Sequence, residues 1–325
     1  MRIQLIDIDS VIPNLALMKI SAYHKQKGDI VGLNNINDPD KAYISVIFKK
    51  NRALAVSCAH NLKQMYPEVE IDIGGPGYDL SKTLEPEIEN IKPDYDLYPD
   101  IDYSIGFTTR GCIRNCPFCI VPKKEGKLKR VTPIEEIHNP RFNKIKLLDN
   151  NILADKENFR HIVEYCEDHN LKLDISQGLD ARLLDEETAN LLARVKPMVC
   201  FCFAFDSLKY KKQVIRSIEL LKKAGINIRS KVQFYVYCDN SINGEYGIDS
   251  AIERCRILKE NGTNPYVMLN IDQAPTEEMR HLKRWANRKA LFWSIDILDY
   301  CTKSKKIKKS KVKTVSLFDF ESVKT

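Results

Sequence analysis

Three cysteines in the segment Gly-Phe-Thr-Thr-Arg-Gly-Cys-Ile-Arg-Asn-Cys-Pro-Phe-Cys, at Cys112, Cys116 and Cys119, constrain this chain more than any other feature. Their spacing is Cys-x3-Cys-x2-Cys, and the nearest histidine downstream, His138, lies nineteen residues past Cys119. A structural zinc ion usually takes four protein ligands, often as two separated Cys-x2-Cys halves, and the chain supplies no such second half. Iron–sulfur clusters are normally held by four thiolates, so three closely spaced ones leave one iron open. The spacing therefore favours a cluster, with zinc as the alternative.

The chain around this segment alternates strands and helices. Arg2–Ile8 reads as a strand, Asn14–Lys27 as an amphipathic helix, Ala42–Phe48 as a strand, Ala53–Tyr66 as a helix and Glu70–Ile73 as a strand ending in Gly74-Gly75-Pro76-Gly77. Such alternation implies a parallel, doubly wound sheet over residues 1–85. Residues 86–104, rich in Pro, Asp, Glu and Tyr, read as a linker. A second α/β series follows over 105–300. Its candidate strands are Ile105–Thr109, Lys144–Leu148, Lys172–Ser176, Val199–Phe205, Val232–Cys238 and Tyr266–Ile271. Helix ends between them are marked by Thr132-Pro133-Ile134-Glu135 and Asp185 as N-terminal caps and by Gly225 as a stop. Six β/α units in about 170 residues are too few for a closed eight-stranded barrel of ~250 residues.

In parallel β/α folds chemistry gathers at the carboxyl ends of the strands. The first strand here runs into the cysteine segment. The others end in Asp149-Asn150, Gln177 to Arg182, Asp206-Ser207, Asp239-Asn240 and Asp272-Gln273, so each delivers a carboxylate or amide to the same face. Polar residues are also ordinary turn formers.

The cysteine spacing, with Phe118 immediately before the last cysteine, resembles the signature of the radical S-adenosylmethionine (SAM) superfamily, in its cobalamin-binding-domain-type and methylthiotransferase-like branch. The resemblance implies a Rossmann-like, cobalamin-binding-type N-terminal domain followed by an open partial (β/α)6 barrel. It implies a 4Fe–4S cluster on Cys112, Cys116 and Cys119, whose open iron binds SAM and reductively cleaves it to a 5′-deoxyadenosyl radical. An external electron donor such as flavodoxin or ferredoxin is implied as well. By the same resemblance Phe118, Asp149, Asn150, Gln177, Asp180, Arg182 and Asp206 contact SAM. Asp149 and Asn150 fall near the methionine amine, and Arg182 near the carboxylate. Asp206, in Phe205-Asp206-Ser207 where relatives often carry Gly-Val/Ile-Glu-Ser, falls near the ribose. No residue is assigned to the chemistry on the substrate. The cobalt-ligating Asp-x-His-x-x-Gly motif is absent, and His24 and His60 read as surface helix residues, so a domain that shapes the substrate cleft is expected rather than cobalamin. Methylthiotransferases hold a second cluster on three N-terminal cysteines. Only Cys58 is available here, which argues against sulfur insertion.

The N-terminus carries acids where a secretory signal would be apolar, and no apolar run approaches the ~18 residues needed to span a bilayer. Ten cysteines without an even framework suit a reducing compartment, and the cytoplasm is expected. Cys200 and Cys202 alternate with Phe201, Phe203 and Phe205 and read as packing within a strand. The net charge of +7 belongs to the tail: residues 303–313 hold seven lysines and no acid, and without them the formal balance is zero. This block, Lys303 to Lys313 within a tail of residues 301–325, is a candidate contact for nucleic acid phosphates. Leu317 and Phe318 beyond it faintly resemble a peptide that docks onto a replication sliding clamp.

Overall fold

In the computed structural model, which describes residues 1–241 and 244–303, the first strand already shows how two layers are built. Side chains of a strand point alternately to opposite faces. Along β1 (Arg2–Asp7), Ile3 and Leu5 pack with Leu17 and Ile20 of α1 (Leu15–Gln26), whereas Ile6 packs with Ala55 of α2 (Arg52–Met65). Strands β2 (Ile30–Leu33), β3 (Lys41–Ser45) and β4 (Glu70–Gly74) complete a parallel sheet in the order β2-β1-β3-β4. The sheet is thus apolar on both faces. Strand β2 has no periodic signal of its own, because it is four residues long and interrupted by Gly32. A Cβ at Gly32 would meet Ile36 Cδ1 at 2.8 Å, so the glycine makes room for the turn that follows.

Residues 86–104 are more ordered than a linker composition implies. They form a short helix, Pro86–Glu89, and a 3-10 turn, Tyr95–Leu97. Tyr95 and Ile101 are buried with Met18 of α1 and with Ile105, which ties the first sheet to the second.

The second sheet system comprises β5 (Ser104–Gly106), β6 (Lys144–Leu147), β7 (Lys172–Asp174), β8 (Leu179–Asp180), β9 (Lys196–Pro197), β10 (Phe201–Ala204), β11 (Val232–Cys238) and β12 (Asn264–Leu269). All its pairings are parallel, in the orders β5-β6-β7-β9 and β8-β10-β11-β12. Lys172 faces Lys196 and Leu179 faces Phe203, and both offsets are 24 residues (196 − 172 and 203 − 179). The two ladders are therefore halves of one strand pairing. The break between them coincides with Gly178 at φ +136° and with Ser176, whose N–H is taken by the Asp174 side chain at 2.9 Å. This is why the strands expected over Lys172–Ser176 and Val199–Phe205 are shorter than their apolar runs.

Helices α3 (Lys156–Asp168), α4 (Glu186–Arg194), α5 (Lys211–Lys223), α6 (Ile248–Glu260) and α7 (Glu277–Asn287) share one apolar core with this sheet. It takes Ile145, Leu173, Phe203, Phe234 and Val267 from successive strands. Asp185 and Thr188 form a reciprocal capping box on α4, and Gly225 closes α5 at φ +81°. At Thr132-Pro133 the expected cap differs: Pro133 holds the N-cap position of the short helix Ile134–Ile137 and offers it no side-chain bond. Among the described residues no helix is long and apolar enough to cross a membrane.

Candidate metal and cofactor site

The cysteine segment is held from both ends. It leaves β5 through Thr108 and Thr109, whose N–H and hydroxyl groups all donate to the buried Asp149 carboxylate, at 2.6–3.0 Å. Burial pushes that carboxyl upward, and the Thr108 and Thr109 donors oppose the shift. Next in the chain, Thr109–Arg110 pairs antiparallel with Lys129–Arg130 to close the loop. Gly111, at φ +79°, lies so close to the Lys127 carbonyl that a Cβ would collide with it. Its N–H donates to Glu125 at 2.8 Å, and the same Glu125 oxygen accepts from Asn150 Nδ2 at 2.7 Å.

On this frame the three cysteines are half-buried. Backbone N–H groups aim at two of the sulfurs: Arg114 N–H at Cys112 Sγ (3.4 Å) and Val121 N–H at Cys119 Sγ (3.5 Å). Asn151 Nδ2 lies 3.9 Å from Cys112 Sγ. Asn151 is buried, and its Oδ1 has no hydrogen-bond partner. Burial raises the Cys116 and Cys119 thiols, and neighbouring thiols of the triad add to the rise. Among the described residues no group of three or more His, Cys, Asp or Glu side chains is close enough to grip a single metal ion, the triad included.

The remaining residues singled out in the sequence fall into two clusters and one outlier. Asp180 accepts from Arg114 Nε of the cysteine segment at 2.8 Å and from Arg182 Nε at 2.6 Å. The Arg182 guanidinium also lies 4.3 Å from the Tyr210 ring centroid. Burial pushes the Asp180 carboxyl up, but Arg182 and Arg114 outweigh it and hold the group below its ordinary range. An unfolded Asp titrates near ~3.9, so the stability from Asp180 is complete above that pH and is lost as pH falls through the depressed folded value. Urea denaturation across pH should show Asp180→Asn less stable than wild type at neutrality, with the gap closing below pH ~4. A gap independent of pH would refute this linkage.

In the second cluster, Phe118 stacks on Tyr237 (4.2 Å, 14°) and meets Tyr246 edge-on at 5.3 Å. Asp206 accepts from the Tyr237 N–H at 2.9 Å, and burial pushes its carboxyl up. Gln177 is exposed in the break of the strand pairing and joins neither cluster.

Sequence reasoning missed Arg254. It is fully buried on α6 and donates to the Phe205 carbonyl (2.9 Å), the Tyr237 carbonyl (2.9 Å) and the Ser250 carbonyl (3.1 Å). It thereby fixes both strand ends around Asp206. Its signal in the sequence is an arginine on the apolar face of α6, beside Ala251, Cys255 and Leu258. Arg254→Met should cost about 3 kcal/mol, since buried carbonyls lose charge-assisted donors. Chemical denaturation measures this, and a change under ~0.5 kcal/mol would show the bonds to be dispensable.

The donor set fits the cluster that the resemblance implies. It offers three thiols and N–H groups directed at sulfur, and a buried oxygen beside Cys112 that a donor-bearing ligand such as the SAM ammonium would satisfy. A cluster spreads its thiolates over several irons, so its ligands need not converge on one ion. The first sheet does not fit cobalamin in the same way. A Cβ on Gly75 would strike the Val46 carbonyl and one on Gly77 would reach the Phe48 backbone at 2.8 Å, so the glycine turn exists for close chain packing. Asp9 takes the Ile47 N–H (2.7 Å), the Phe48 N–H (3.0 Å) and Asn51 Nδ2 (2.9 Å) at the strand ends. His24, expected at the surface, is buried between Asp29 (2.7 Å) and the Tyr43 hydroxyl (3.0 Å). Burying its ring on the α1 face of the sheet is affordable because both nitrogens are satisfied.

No family model matches the chain. It is similar to the ribosomal protein uS12 methylthiotransferase RimO of Stenotrophomonas maltophilia strains K279a and R551-3. Each match is 32% identical over 87 residues, 23% of this chain and 18% of the relative. The matched part is thus under a fifth of those relatives' length. At this coarse level the chain is consistent with the radical SAM superfamily.

Proposed function

We propose that this chain is a radical SAM enzyme, with a 4Fe–4S cluster held by Cys112, Cys116 and Cys119 and SAM bound beside it. The observation that carries the reading is the pairing of three half-buried thiols on one braced loop with the unpartnered, buried Asn151 oxygen next to Cys112. When bound, such a cluster supplies the electron that splits the sulfonium of SAM and starts hydrogen abstraction from the substrate. Strand order that follows chain order, with the helices packed on one face, supports an open partial barrel around this site. The first sheet, with α1 and α2 on opposite faces, supports a Rossmann-like unit of residues 1–85 that shapes the cleft.

The chain's own residues divide the work. Asp149 and Glu125 brace the cysteine loop. Asn150 donates its Nδ2 to Glu125, and beside it the buried, unpartnered Asn151 Oδ1 is an acceptor to offer the methionine amine. Asp180 orients Arg182, whose charge serves the carboxylate, and Asp206 holds Tyr237 against Phe118 where the nucleoside is expected. A flavodoxin- or ferredoxin-like donor supplies the electron. The substrate class we favour is nucleic acid, on the strength of Lys303 to Lys313. Apart from Lys303 that block, like Leu317 and Phe318 with the clamp-like partner, lies outside the described residues.

The test is anaerobic. After cluster reconstitution and reduction, wild-type protein given SAM should release 5′-deoxyadenosine. If it does not, a SAM-binding titration on the same sample decides. Absence of binding to a fully loaded protein overturns the enzyme reading and favours a non-catalytic metal module that binds nucleic acid.

A further inference from the structure

The face of the second sheet opposite the helices carries a group that the proposed reaction does not use. Residues alternating with the core-facing Phe201, Phe203 and Phe205 of β10 must point the other way. They are Cys200, Cys202 and Ala204, followed by Asp206 at the strand end. Cys202 is buried, Cys200 is half-buried, and their sulfurs are 3.8 Å apart. Cys202 Sγ also contacts the Cys200 carbonyl at 3.7 Å. Asp174, ion-paired with Lys146, belongs to the same surroundings, as does Tyr235, whose hydroxyl donates to the Ser176 carbonyl at 2.6 Å.

Core packing accounts for one buried thiol but not for two sulfurs brought together on the face away from the core. In a regular strand, residues two apart are ~6.6 Å from each other, near the upper limit for a disulfide. Cys200 lies just outside the ladder, between β9 and β10, where the strand pairing is interrupted. The backbone at that point is free of the ladder and can close the remaining gap between the sulfurs.

We infer that Cys200 and Cys202 form a redox-active dithiol, oxidised to an intramolecular disulfide by small-molecule disulfides such as oxidised glutathione. In the first step the Cys200 thiolate attacks the oxidant's S–S bond, forming a mixed disulfide and releasing one thiolate. In the second, Cys202 loses its proton and attacks the Cys200 sulfur, which completes the internal bond and releases the second thiolate. The two cysteines together lose two electrons and two protons, and the oxidant becomes two thiols. Hydrogen bonding from Cys202 draws the Cys200 thiol below its ordinary value; burial opposes this and Lys289 adds to it. The bond to Cys200 and burial push the Cys202 thiol up, and burial raises those of Cys238, Cys255 and Cys166, which sets Cys200 apart as the attacking group. Cys202 is four residues from Asp206, ~13 Å along the strand, so the dithiol lies deeper on the face that ends at the proposed SAM site.

The experiment treats the full chain with oxidised glutathione, blocks free thiols and maps the peptides by mass spectrometry. A peptide spanning Cys200 and Cys202 should be lighter by two hydrogens and unblocked. In Cys202→Ser the same peptide should instead retain one glutathione on Cys200. The rate of glutathione addition to Cys200 should exceed that at Cys238 by about a hundredfold. Repeating the treatment on a Cys112→Ala/Cys116→Ala/Cys119→Ala chain removes the proposed cluster ligands. An internal bond formed there too keeps this inference independent of the cluster reading. Stable glutathione on wild-type Cys200, or blocked thiols at both positions, would overturn it.

Discussion

Cys112→Ala, Cys116→Ala and Cys119→Ala chains should each fold normally and yet form no 5′-deoxyadenosine above background. All three side chains are half-buried and none belongs to the apolar core, so truncation leaves no core cavity. The loss falls on the ligand set. With three thiolates, removal of one leaves two irons without a protein ligand, and the remaining pair does not retain a cluster through reduction. Iron and sulfide analysis after reconstitution should therefore fall together with nucleoside formation, while far-ultraviolet circular dichroism stays unchanged. Zinc, as the alternative occupant, predicts a different record: zinc in the purified protein, no sulfide, and no nucleoside from wild type. A variant that kept full nucleoside yield would remove that cysteine from the ligand set.

Asp149→Ala should be the most destabilising change near the site, by about 3–5 kcal/mol. Its carboxylate is the common acceptor for two backbone N–H groups and two hydroxyls of Thr108 and Thr109, all in a buried setting. The hydroxyls can rotate, and Thr108 Oγ1 already accepts from Asn158 Nδ2 at 2.9 Å. The two N–H groups cannot rotate, and each buried donor left unmet costs about 1–3 kcal/mol. Asp149→Asn keeps one oxygen and should lose about half as much. Urea denaturation gives both values, and equal stability of Asp149→Ala and wild type would show that the loop finds other acceptors. Because Thr108 and Thr109 lead directly into the cysteines, the alanine variant should also bind iron less tightly than its residual folding predicts.

Element order was legible in the sequence wherever a strand or helix carries its own period or its own end signal. The run Val232–Cys238 and the stop at Gly225 are read directly from local chemistry. Strand β2 and the break at Ser176–Gly178 were not, since one is too short for a period and the other depends on a backbone bond to Asp174. The site shows the same division. Ligand spacing names Cys112, Cys116 and Cys119 at once. The partners of Asp149 and Asn150, which lie far back in the chain at Thr108, Thr109 and Gly111, emerge only from the fold. Arg254 is the clearest case, because its role is defined by carbonyls that belong to two other strands.

The order of the second sheet also has a consequence for how the chain is made. Strands that neighbour one another there follow in the order of synthesis, so each finds its partner already placed when it emerges. Parallel pairing normally delays folding because long connections must close first. A sheet laid down in chain order meets those closures one at a time. A ribosome-bound chain that has reached the end of α4 therefore displays the complete cysteine loop and its Asp149 and Asp180 anchors. It does not yet carry Tyr237 and Tyr246, which pack against the loop at Phe118, or Asp206, which accepts from the Tyr237 N–H. For the proposed cluster, loading with iron and sulfide has an open interval during translation, and that interval closes once β11 and the residues just after it have arrived.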